Sequence, residues 1–121
     1  MPEFAAIIWE NRNSRIDPTN PGFVEYMNGY FRFGELAGPF IRGGAALLGD
    51  ETATTIHVEG GEDGDVVMHD GPYAETKEFL GGFYVLEADN LDAAIALARH
   101  IPAAWRDGGR VEVRPLMPIP G

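Results

Sequence analysis

The sequence predicts a single α+β domain, and three observations carry that reading. Phe4 to Trp9 is an unbroken apolar run of six residues, the length of a buried strand and too short for a membrane element. Leu91, Ala94, Ile95 and Ala98 fall at i, i+3, i+4 and i+7, the spacing of one helical face. Thr52 to Val58 is rich in β-branched residues and Val66 to His69 is a second strand-like run. The turn-forming EGGEDGD between them predicts a hairpin.

The remaining elements follow in order. Asn11 to Asn20 is polar and carries Asp17 before Pro18, which marks a loop. Asn20 is placed to cap a helix with Pro21 at its first position, and Phe23, Tyr26, Met27, Tyr30 and Phe31 recur at helical spacing. Such an aromatic stripe serves core packing more often than a ligand pocket. Gly38 and Pro39 stop that helix, and Ile41 to Leu48 supplies a glycine-containing strand. Gly81 and Gly82 introduce a strand from Phe83 to Ala88. Asp89 then caps a helix from about Asn90 to His100, with Pro102 discouraging its continuation. Val111 and Val113 alternate with Glu112 and Arg114, the pattern of a half-buried last strand, and the proline-rich tail after Pro115 reads as irregular.

Strand, helix, strands, strand, helix, strand is the βαββαβ plan of a ferredoxin-like sandwich with an added hairpin, spanning residues 1–121 as one domain. Both helices then cover one sheet face and leave the other bare. A homodimer that packs this face on its copy is the simplest cover.

Composition narrows the function classes. The 121 residues carry 19 acidic and 9 basic side chains, a net charge of -10. That field repels phosphate backbones and anionic lipid, which argues against direct nucleic-acid or membrane partners. There is no cysteine, hence no disulfide, thiolate nucleophile or cysteine-based zinc site. The stretch MPEFAAIIWENR has an early glutamate and lacks a basic region, so a soluble cytoplasmic protein is expected. Glu59, Glu62, Asp63 and Asp65 lack calcium-loop spacing, and His57, His69 and His100 are scattered, so no metal is expected. P-loop, dinucleotide-binding and nucleophile-elbow motifs are lacking, and no cofactor is expected.

The most distinctive stretch is Asp70-Gly-Pro-Tyr-Ala-Glu-Thr-Lys-Glu-Phe-Leu-Gly-Gly82, followed by a C-terminal VEVRPLMPI at Val111 to Ile119. It resembles the signature of the YCII-related family in its DGPF-type branch, with Tyr73 where that branch usually has phenylalanine. The resemblance implies a dimeric α+β barrel with a cleft in each subunit and Asp70 near it. Members nearer the founding branch pair this aspartate with an N-terminal histidine. Here no histidine precedes His57.

The residues leave two uses open for Asp70: a general base facing a cleft, or an Asx-turn that fixes the loop. His69 is adjacent, but successive strand side chains point to opposite faces, so the two do not form a couple. Glu75, Thr76 and Lys77, beside Tyr73, suit either a polar ligand or salt-bridged loop closure. The carboxylates flanking Lys77 keep it protonated and oppose a Schiff-base role. Trp9 and Arg32 are candidates for lining a dimer cleft, Arg32 by holding an anionic group. These residues point to small-molecule binding near Asp70, with cofactor-independent lyase or isomerase chemistry as the enzymatic version. The family resemblance implies an alternative, a regulatory or interaction module associated with an extracytoplasmic-function sigma factor.

Overall fold

In the computed structural model, which describes residues 1–120, strand β1 (Glu3–Asn11) sets the frame. Its side chains alternate: Phe4, Ala6 and Ile8 are buried on one face, while Ala5, Ile7 and Trp9 are half-buried on the other. β5 (Glu78–Glu87) and β6 (Arg110–Pro115) pair antiparallel with its two sides, and β2 (Ile41–Ala46) pairs with β5. The sheet order β2-β5-β1-β6, with α1 (Phe23–Ala37) and α2 (Leu91–Ala98) as crossovers, is the ferredoxin-like plan. The hairpin of β3 (Thr54–Glu59) and β4 (Asp65–Asp70) is inserted between β2 and β5 as a separate two-stranded sheet.

The helices pack on the Phe4–Ala6–Ile8 face. Phe33 of α1 meets Tyr84 of β5 with ring centroids 4.9 Å apart, and Leu86 and Ile101 are fully enclosed beside them. Each such side chain contributes roughly 1.5–3 kcal/mol through burial. A short helix, α3 (Pro102–Trp105), wedges against α1 where Gly29 leaves no side chain. A Cβ there would lie 2.9 Å from Pro102 Cγ.

Several boundaries differ from the sequence reading. Helix α1 starts at Phe23 because Asn20 is used by the preceding turn. Its side chain accepts from the Asp17 amide at 3.3 Å, and its carbonyl accepts from Phe23 N at 3.1 Å. Asn90, not Asp89, caps α2, accepting from Ala93 N at 2.9 Å. On α2 the buried residues are Ala94 and Ala98, while Leu91 and Ile95 are exposed, because small side chains let this helix lie close to the sheet. His100 lies in the turn after α2, and Pro102 opens α3 instead of merely ending a helix. Gly81 and Gly82 sit inside β5, which begins at Glu78. A register shift between Ile8 and Trp9 leaves Gly81 as the extra residue of a β-bulge.

Candidate functional site

A cleft of about 660 Å³ opens between α1 and the β2–β5 side of the sheet. Phe23, Tyr26 and Tyr30 of α1 face Phe79 and Tyr84 of β5 across it. All five residues of the α1 stripe, Phe23, Tyr26, Met27, Tyr30 and Phe31, line the cleft, while Phe33, which lies outside the stripe, fills the core. The bulge shapes the far wall. Gly81 O accepts from Leu47 N at 2.9 Å, which draws the segment after β2 across β5.

Glu10 reaches the cleft as the next member of the Phe4, Ala6, Ile8 alternation, now carrying a carboxylate at the end of an apolar row. Tyr26 Oη donates to Glu10 Oε1 at 3.1 Å, and the Tyr26 and Tyr30 hydroxyls are 3.3 Å apart. With its proton on Glu10, Tyr26 accepts from Tyr30, so the three groups form a directed chain. The two rings meet edge-on with centroids 5.2 Å apart. Burial pushes the Tyr26, Tyr30 and Tyr84 phenols above their ordinary value, which keeps them as neutral hydroxyls at physiological pH. Arg106 braces the chain: its guanidinium lies 4.8 Å over the Tyr26 ring and donates to Ser14 O at 2.6 Å.

Arg15 and Asp17 carry the other charged side chains of this cleft. Arg15 is paired with Glu51 at 3.2 Å and lies 5.5 Å over the Phe79 ring. Asp17 is spent locally, accepting from the amide and hydroxyl of Thr19, which holds its carboxyl below the usual range.

The motif segment lies elsewhere. Asp70 ends β4 opposite Thr54, is exposed, and lines neither this cleft nor the second one. Gly71 follows with φ +111°, the left-handed turn that glycine permits. Glu75, Thr76 and Lys77 are brought together with Pro72, Arg12 and Asp50 around a second cleft of about 500 Å³. Arg12 is its organiser. Its Nε donates to Thr76 O at 2.7 Å, its amide donates to Lys77 O at 2.9 Å, and its guanidinium grips both Asp50 oxygens. Thr76 Oγ1 donates to Glu78 O, so its hydroxyl closes the loop.

The other candidates are dispersed. Trp9 lies on the open sheet face, where its indole donates to Glu112 at 3.1 Å. Arg32 is exposed on α1, His69 is exposed opposite Thr55, and Tyr73 is 91% exposed. None of the four lines either cleft. Sequence reasoning passed over Glu10, Arg12 and Arg15. Glu10 had a readable signal, a carboxylate at the fourth even position of the apolar strand. The Arg12–Asp50 pair, 38 residues apart, had none.

Among the described residues no group of three or more His, Asp or Glu side chains is placed to hold a metal ion. Among them, too, no helix is long and apolar enough to cross a membrane.

The chain is 40% identical over 87 residues to an uncharacterised protein of Rhizobium meliloti (strain 1021), an alignment covering 72% of this chain. It spans 64% of that relative's length. The model of the YCII-related domain matches residues 4–120, which takes in every strand and helix described above but for the first residue of β1. With nearly the whole chain matched, this protein belongs to the YCII-related family.

Proposed function

We propose that this YCII-related protein binds a small organic molecule in the cleft between α1 and the sheet. The carrying observation is the Glu10–Tyr26–Tyr30 chain beneath an aromatic lining, a few oriented polar groups in an otherwise apolar hollow. The chain also supports cofactor-independent proton transfer of the lyase or isomerase kind: Glu10 accepts a proton, and the neutral Tyr30 hydroxyl turns from Tyr26 to hydrogen-bond a developing oxyanion. On this reading the acid that serves the ligand is Glu10, and Asp70 belongs to the turn that opens the motif loop. The protein works as a cytoplasmic homodimer, a reading favoured by the lack of cysteine and by the apolar open face of Ile7, Trp9, Leu80, Phe83 and Val85.

A metabolite thermal-shift screen on the wild type, Glu10→Gln, Tyr30→Phe and Asp70→Asn tests this. Ligands that raise the wild-type melting temperature do so in Asp70→Asn and lose the effect in Glu10→Gln or Tyr30→Phe. Hits lost only in Asp70→Asn overturn the assignment of the cleft. Turnover assays on the hits then decide between binding and catalysis.

One observation favours a second reading, an interaction module engaging a sigma factor. The hairpin displays Ile56, Val66 and Met68 on one face, with Met68 71% exposed. Co-purification of a sigma factor with the wild type, abolished by Met68→Asp and untouched by Glu10→Gln, would establish it.

A further inference from the structure

The charge balance of the α1 cleft goes further than its shape. Glu10 presents a half-buried carboxylate whose one hydrogen-bond partner among the described residues is the neutral Tyr26 hydroxyl. Arg15, the base that lines the cleft, is paired with Glu51 and packed on Phe79. Asp17 adds a second carboxylate, engaged by Thr19. The groups that face the hollow are thus two acids, one committed arginine and the neutral phenols of Tyr26, Tyr30 and Tyr84, with Arg106 behind the Tyr26 ring and bonded to Ser14 O.

A half-buried carboxylate whose neighbouring cations are both committed elsewhere is costly unless something cationic reaches it. The aromatic walls around it point the same way, since ring faces attract cations and repel carboxylates. The net charge of -10 raises the local concentration of cations at long range. Gly81 sets where such a group fits: a Cβ there would lie 2.6 Å from Glu10 Oε2, so the glycine keeps the second carboxylate oxygen clear of side chain on that side.

We infer that the ligand of this cleft is an organic amine: an apolar, ring-sized body held by Phe23, Tyr30 and Tyr84, with an ammonium head bonded to Glu10. This rests on the α1 cleft being the binding site, and names the class of molecule it takes.

Matched probes sharing one ring test it: benzylamine, benzyl alcohol and benzoate, titrated at neutral pH into amide-labelled protein by NMR. Benzylamine is expected to shift the Gly81 and Gly82 amides and to bind about tenfold tighter than benzyl alcohol, with benzoate weakest. In Glu10→Gln that preference collapses to within about twofold while benzyl alcohol still binds. Benzoate binding at the same amides as tightly as benzylamine overturns the amine assignment and leaves the cleft standing. An amine preference that survives in Glu10→Gln likewise overturns it. If none of the probes moves the Gly81 and Gly82 amides, both the amine assignment and the choice of cleft fall.

Discussion

The carboxylate of Glu10 occupies the space that a side chain at Gly81 would fill, although the two residues come from strands 71 positions apart in sequence. The β-bulge at Ile8/Trp9 creates this relationship by leaving Gly81 unpaired beside Glu10. The same bulge aims the strand's one acidic side chain on this face at the cleft.

Gly81→Ala is therefore a test of position more than of stability. The obstructing atom is the end of a flexible side chain, so the change in unfolding free energy stays within about 1 kcal/mol. The displaced carboxylate loses its bond to Tyr26, and ligand affinity in the α1 cleft falls about tenfold. Chemical denaturation beside ligand titration separates the two effects.

The core is expected to respond unevenly along α2 and β5. Leu86 is fully enclosed, so Leu86→Ala costs about 2–5 kcal/mol, the transfer loss plus the cavity. Leu91, 47% exposed although it sits on the apolar stripe of the sequence, costs under about 0.5 kcal/mol on replacement by alanine. Comparable losses at both positions, measured by urea unfolding, would contradict the buried face described for α2.

Acid should loosen the Arg12 clamp. The hydrogen bond from Arg12, followed by its charge, holds the Asp50 carboxyl below its ordinary value of 3.8. A folded-state value below the unfolded one stabilises the protein above the unfolded value, and this stability drains away as pH falls through the folded one. Wild type should exceed Asp50→Asn in urea midpoint at neutral pH, and the gap should narrow below about pH 4. Asp17 and Glu51 are lowered in the same sense, by Thr19 and Arg15, so the acid dependence of Asp50→Asn is shallower but not flat.

Self-association through the open sheet face is expected to fail in Phe83→Glu, which sets a charge in the middle of Ile7, Leu80 and Val85. Sedimentation should give about twice 13.2 kDa for the wild type and about 13.2 kDa for the variant. A monomeric wild type would remove the dimer from the proposal.

Local chemistry made much of the fold legible. The Phe4–Trp9 run, the β-branched hairpin and the Leu91–Ala98 periodicity are short-range signals, and each element formed within a few residues of its expected place. The start of α2 slipped because two neighbouring cap formers compete, and only the rest of the backbone decides between Asp89 and Asn90.

The sequence by itself determined the order of elements, the acidic charge and the motif that carries the family resemblance. Tertiary structure decided which of the polar residues meet. It assembled Glu10, Tyr26 and Tyr30 from a strand and a helix, and gave Arg12 to Asp50 and the motif loop. The physical reason is range: strand alternation and helical periodicity fix which face a side chain takes, while the pairing register and one bulged glycine fix what stands opposite it.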